Sequence, residues 1–256
     1  MLKALVHTVS PNLSDCELTY LERTAIDHAQ AVAQHNAYCE LLTRFGVEVV
    51  RLSGNEHLPD ATFVEDTAIV FDEVAVIVNM GAETRKAEVA LTEKELMKYR
   101  PIARIKHPAT LEGGDVVQIG NVVFVGRTQR TNDAGIKALR HILTRFDYQV
   151  VAVEVHDCLH FKSACTAISA HSLLVNPAWV DISQFSEFNV ITVDEAEPWA
   201  ANTICLNSTV CLHSAFTATA DSLRELGFNV ATIDISEFLK AEGGLSCLSI
   251  RFDVSA

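Results

Sequence analysis

A chain of 256 residues, 49% hydrophobic and 21% charged, is long enough to bury a substantial core and too apolar to be disordered. Its formal net charge of -13, with no basic run, excludes nucleic acid as a partner, because phosphate binding needs clustered Lys and Arg; a cationic small-molecule substrate suits it better. Residues 1–9 are too short and polar for a secretory signal and apolar runs such as 74–78 are only strand-length, so no membrane contact and a cytoplasmic location are expected.

In chain order, the apolar spacing predicts a helix over 26–44 with one buried face, Gly46 as its C′ residue and a β-branched strand over 47–50. Hairpins are expected over 68–79, turning at Asp72-Glu73, and over 116–125, turning at Gly120-Asn121. A helix over 133–145 leads into a second β-branched run at 148–151. Further hairpins follow over 164–175, turning at Ala170-His171, and over 203–212, turning at Asn207-Ser208. A helix over 218–226 ends at Gly227. The last strand begins near Cys247, runs to the end and is expected to pair with the N-terminal strand.

The chain echoes itself. Leu42-Thr43-Arg44-Phe45 returns as Leu143-Thr144-Arg145-Phe146, and Leu223-Arg224-Glu225-Leu226-Gly227 is a third version. Hairpins start about every 40 to 50 residues, the spacing of repeat architectures. The expectation is one α/β domain over 1–256, built from about five units of strand, hairpin and helix or loop. A generic α/β sandwich fits the same pattern. In a ring around a central axis, however, the hairpin starts converge, and Asp66, Glu112, the His160 region and Cys247 all lie at or just before such starts.

These residues carry reactive chemistry. Cys247 follows Gly243-Gly244-Leu245-Ser246, where the backbone can turn tightly and a thiolate can reach an electrophile. His160 is the best proton carrier, and Glu112, beside Gly113-Gly114, can orient an imidazole. The adjacent Glu65-Asp66 pair suits a planar cation, and Arg85 and Arg130 suit a carboxylate. Taken singly, each has a plainer reading: a buried core thiol, a strand-edge histidine, a tight turn, solvated charges. The seven cysteines are odd in number, irregularly spaced and without C-x-x-C, so neither a disulfide framework nor a zinc ribbon is expected. His156 and His160 have a metal-like spacing of four but no third ligand, and no metal is expected.

Together, Pro59-Asp60-Ala61-Thr62-Phe63-Val64-Glu65-Asp66, Leu111-Glu112-Gly113-Gly114-Asp115, Leu159-His160-Phe161-Lys162 and the run from Gly243 to Phe252 resemble the dimethylarginine dimethylaminohydrolases of the guanidino-modifying superfamily. Gln34-His35-Asn36-Ala37-Tyr38, Gly81-Ala82-Glu83-Thr84-Arg85 and Arg130-Thr131-Asn132 extend the likeness from about residue 15 to the end. The resemblance implies a five-bladed α/β propeller of ββαβ units, the pentein fold. It implies Cys247 as nucleophile, His160 as general acid/base and Glu112 as its partner. Glu65 and Asp66 would hold the guanidinium, Asp60 and the backbone of Leu18 the α-amino group, and Arg85 and Arg130 the α-carboxylate. Phe63, Ala241 and the Gly243-Gly244 loop would line the pocket.

The implied reaction is hydrolysis of N-ω-methylated arginine to citrulline through a thiouronium on cysteine, without metal or organic cofactor, in a monomer or homodimer. Lys162 stands where arginine deiminases and amidinotransferases place an aspartate, which favours methylated substrates. Ala241-Glu242 departs from the bulkier apolar residue common in this loop. Hydrolysis of another guanidino compound such as arginine, or binding of a cationic amino acid without turnover, are the competing functions.

Overall fold

The computed structural model describes residues 1–254. The chain opens with strand β1 (Leu2–His7), helix α1 (His28–Arg44) and β2 (Glu48–Leu52). Then come β3 (Ala68–Val70), β4 (Ala75–Ile77), α2 (Val89–Leu96) and β5 (Ile102–Arg104). The middle comprises β6 (Val116–Ile119), β7 (Val122–Arg127), α3 (Asp133–Leu143) and β8 (Gln149–Glu154). It is followed by α4 (Phe161–Ala164), β9 (Cys165–Ala167), β10 (Ser172–Val175) and β11 (Asn189–Thr192). The last part has β12 (Ile204–Leu206), β13 (Thr209–His213), α5 (Thr217–Glu225), β14 (Asn229–Ile233), α6 (Ser236–Leu239) and β15 (Ile250–Asp253).

The strands form five three-stranded sheets, and every sheet has the same plan. An inner strand pairs antiparallel with a middle strand, which pairs parallel with an outer strand. The inner strands β3, β6, β9, β12 and β15 each contribute residues to one axial cavity of about 280 Å³. The fold is therefore a five-bladed α/β propeller, as the repeat period and the resemblance lead one to expect. The fifth blade closes the ring by joining the two ends of the chain, with Leu2 opposite Asp253 and Leu5 opposite Ile250.

Local chemistry explains where the elements begin and turn. Asp27 caps α1 by accepting the Gln30 amide, and Asn132 caps α3 by accepting the Gly135 amide. Asn207 and Ser208 both lie in the left-handed region, φ 47° and 63°, as a two-residue hairpin of matching twist requires. The four hairpins, the pairing of the last strand with the first and helices α1, α3 and α5 lie where the sequence places them. Helix α2 and the outer strands β5 and β11 are not legible there. β5 is only three residues long, and in the third blade a short 3-10 turn, Ile182–Phe185, replaces the crossover helix. No helix among the described residues is long and apolar enough to cross a membrane.

Gly135 lies in α3 where that helix meets the Thr110 carbonyl. A Cβ on Gly135 would sit 1.9 Å from that backbone oxygen. Gly135→Ala is expected to lower stability by about 1–3 kcal/mol through overpacking, and Tm by several degrees. A denaturation midpoint equal to or above the parent's, which helix propensity alone would give, would disprove this contact.

Candidate active site

The repeat sets the site. Four of the five inner strands are preceded by a short helical segment at one end of the axis. These are the 3-10 turn Val64–Thr67 before β3, the 3-10 turn Gly113–Asp115 before β6, helix α4 before β9 and the 3-10 turn Ser246–Leu248 before β15. They carry Asp66, Glu112, His160 and Cys247. The convergence expected of a ring is realised, for Asp66, His160 and Cys247 line one small cavity of about 10 Å³ together with Asp60, Phe63, Arg85, Arg130, Ala241 and Gly243.

His160 occupies the N-cap position of α4 with an extended backbone, its side chain turned away from the helix amides. Its Nε2 lies 2.7 Å from Glu112 Oε2, and its Nδ1 lies 3.8 Å from Asp66 Oδ1. Glu112 is wholly buried, and its other oxygen accepts the Gly81 amide at 2.9 Å. Asp115 accepts the Phe161 amide at 2.9 Å and so fixes the start of α4. Gly114 is glycine because of this crowding: a Cβ would sit 2.6 Å from Asp66 Oδ1 and 2.9 Å from the His160 ring. Burial draws the imidazole pKa down. The carboxylates of Asp66 and Asp115 and the bond to Glu112 outweigh it and carry His160 up to about 9.

Cys247 is buried, and its Sγ accepts the Gly244 amide at 3.4 Å. A second donor comes from Asn202, whose Nδ2 is 3.7 Å from the sulfur and whose Oδ1 accepts the Ser246 amide at 2.9 Å. Asn202 is absent from the sequence-based set. The signal that could have found it is positional: it precedes the fourth inner strand, as Asp66, Glu112, His160 and Cys247 precede the others. Burial, then the charges of Glu65 and Asp66, push the thiol up to about 12, against the Gly244 and Ser246 hydrogen bonds. At neutral pH the resting pair is thus a neutral thiol and an imidazolium.

Two of the expected site residues are held by other partners in this structure. Glu65 does not line the catalytic cavity. Its carboxylate accepts Lys162 Nζ at 2.7 Å and Ser246 Oγ at 2.6 Å, and all three residues line the axial cavity on the other side. Neighbouring residues in a tight turn face different ways, so Glu65 and Asp66 line different cavities in this structure. Arg85 is not a free cation either. It donates to Asp66 Oδ2 at 2.7 Å, to both oxygens of Glu88 and to the carbonyls of Asp60 and Phe63. Arg130 is the available one, with Nη1 buried and without a hydrogen-bond partner, 3.6 Å from Glu112 Oε1.

The remaining residues stand at the mouth. Asp60 accepts the Glu17 amide with both oxygens at 3.2 Å, which places Leu18 beside the opening. Phe63 packs edge-on against Phe238, with Gly243 beneath its ring. Among the described residues, Asp66, Glu112 and His160 are the one group that brings metal-ligating atoms together. Their donors are already engaged with Arg85, Gly114, Gly81 and each other, and two guanidinium groups adjoin them, which opposes a dication.

Comparison with known proteins agrees with this geometry. A family model described as N,N dimethylarginine dimethylhydrolase, eukaryotic, matches residues 17–251. The N(G),N(G)-dimethylarginine dimethylaminohydrolase of Streptomyces coelicolor is 38% identical over 252 residues, 97% of this chain and 96% of its own. The protein of the same name from Pseudomonas aeruginosa is 33% identical over 228 residues, 88% of this chain and 90% of its own. A solved structure of the Pseudomonas aeruginosa enzyme, a cysteine-to-serine mutant complexed with citrulline, superposes with a TM-score of 0.92 at 31% identity, covering 98% of each chain.

The charge state of the thiol is measurable. Iodoacetamide alkylation of Cys247, followed by peptide mass spectrometry, should be slow at pH 7. It should keep accelerating through pH 9, because the thiolate fraction rises with pH while the pKa stays far above. A rate that levels off near pH 7 would show a resting thiolate instead.

Proposed function

The chain belongs to the dimethylarginine dimethylaminohydrolase family, and we propose that it hydrolyses N-ω-methylated arginines to citrulline with release of methylamine or dimethylamine. The observation that carries the reading is the His160–Glu112 contact of 2.7 Å beside Cys247, in a cavity flanked by Asp66 and by the partnerless Nη1 of Arg130. An amino acid with a guanidinium at one end and a carboxylate at the other matches that charge order.

The proposed steps follow from the resting charges. A bound guanidinium beside Asp66 adds positive charge next to the sulfur, which lowers the thiol pKa, and the thiol proton passes to solvent as substrate binds, since His160 already carries its own. Cys247 Sγ attacks the guanidinium carbon to give a tetrahedral adduct. His160, already protonated, gives its proton to the departing amine as the C–N bond breaks. An S-alkylthiouronium remains on Cys247. Neutral His160 then takes a proton from water and the hydroxide adds to the same carbon; the C–S bond breaks as the adduct's hydroxyl proton passes to the departing sulfur, returning citrulline, the neutral thiol and protonated His160. Glu112 keeps the imidazole oriented and stabilises its charged form. Arg130 holds the α-carboxylate with Arg85 behind it, and Asp60 with the Leu18 carbonyl receives the α-ammonium.

Specificity follows from the turned-away Glu65. Lys162 Nζ bonds Glu65 and the Gly113 carbonyl on the far side, so no carboxylate stands where deiminases are expected to have one. An unmethylated nitrogen would leave donors without partners, at about 1–3 kcal/mol each. Methyl groups need none.

A citrulline assay on metal-free protein should show asymmetric dimethylarginine and monomethylarginine preferred over arginine by roughly 10-fold to 200-fold in kcat/KM. Equal or better turnover of arginine would place the protein with the deiminases. Cys247→Ser should lose about 10⁴-fold or more while retaining binding, since one residue carries the covalent step. Near-normal turnover by that variant would remove Cys247 from the mechanism.

A further inference from the structure

The catalytic cavity as it stands holds about 10 Å³, roughly the space of one water and far too little for an arginine side chain. Something at its mouth must move before substrate enters. Glu17 lines the cavity, and Leu21 and Glu22 lie in an adjoining pocket whose wall includes Glu242 and Gly243 of the same cavity; from Thr19 to Arg23 the chain is exposed, with Tyr20 42% and Leu21 36% accessible. Such a segment has little packing to hold it.

Within it, the stretch 19–21 is held by one carboxylate. Glu242 Oε1 accepts three consecutive backbone amides, from Thr19 at 3.0 Å, Tyr20 at 2.5 Å and Leu21 at 2.6 Å. Glu242 is only 7% exposed and lines the catalytic cavity. Its own backbone is left-handed at φ 56°, a conformation a glutamate keeps only when its surroundings demand it. Its second oxygen is buried without a hydrogen-bond partner, and Glu17 and Asp60 line the same cavity. On the other side of Leu18, Asp60 grips the Glu17 amide. Leu18 is thus suspended between two carboxylate anchors.

We propose that Glu242 is a positioning residue: it latches residues 19–21 across the mouth and thereby fixes the Leu18 carbonyl where the substrate's α-ammonium arrives. The substrate in this statement rests on the function proposed above. Release of the latch opens the cavity, and its closure over a bound amino acid completes the ammonium site. The departure at Ala241-Glu242 acquires a role here, for a small residue leaves room and the glutamate ties the loop down.

The test compares Glu242→Ala and Glu242→Gln with the parent by amide hydrogen exchange and by steady-state kinetics on monomethylarginine. Glu242→Ala should speed exchange at Thr19, Tyr20 and Leu21 by about 10-fold or more, with the rest of the chain unchanged. Its KM should rise about 10-fold while kcat stays within about 3-fold, because the latch acts on binding rather than on the reacting atoms. Glu242→Gln, which keeps one acceptor oxygen, should recover most of both effects and carries the test if the alanine variant fails to fold. Unchanged exchange at 19–21, or a fall in kcat with KM unaltered, would overturn the latch. Exchange is read on free protein, so it decides the matter even if the parent turns over no methylated arginine.

Discussion

Arg85 is the constraint on which the site depends. A guanidinium buried this deeply costs several kcal/mol unless every donor is met, and here two carboxylates and two carbonyls meet it. Those acceptors hold its charge and raise its pKa well above the ordinary value, against burial. In return it fixes Asp66, whose other oxygen receives the Gly114 amide and faces His160. His160 and Arg85 keep the Asp66 carboxyl below its usual range although burial works the other way. The chain of contacts Glu88, Arg85, Asp66, His160 and Glu112 is therefore one buried charge network, and no member can be removed without leaving another uncompensated.

The propeller axis has two faces separated by a thin floor. Lys162, Glu65 and Ser246 make that floor, and each is two residues or fewer from a residue of the active site. His160 and Lys162, Asp66 and Glu65, and Cys247 and Ser246 form three such pairs. The tight segments that start the blades turn one residue toward the catalytic cavity and its near neighbour toward the axial cavity. The same local geometry thus builds the reactive surface and seals it from behind. A sealed, low-dielectric site strengthens the interactions that hold His160 protonated and the thiol neutral.

Pseudo-symmetry explains how few elements are needed. One unit repeated five times delivers five tight segments to one end of the axis, and each can carry a different side chain. Four of them carry acid, base or nucleophile, and the fourth blade contributes Asn202 to the sulfur. Helices α1, α3 and α5 lie outside this arrangement and contribute packing. The α1 residues Tyr38 and Leu42, for example, join Phe63 and Leu248 in one hydrophobic cluster that backs the Cys247 turn.

Much of this was legible in the residues. Turn chemistry, helix periodicity and the hairpin spacing are local properties of the chain, so they determined the hairpins, helices α1, α3 and α5, and the reactive residues placed just before the inner strands. The short outer strands β5 and β11 were not legible, because three or four residues carry too little pattern. What the sequence left open was orientation. Glu65 and Asp66 are adjacent and chemically alike, yet Ser246, 181 residues away, and Lys162, 97 away, take one of them, while Arg85 takes the other. The reach of Glu242 to a loop 221 to 223 residues earlier is equally invisible in a linear reading. Only closure of the ring brings those partners together, and a buried charge turns toward whichever partner the closed ring supplies.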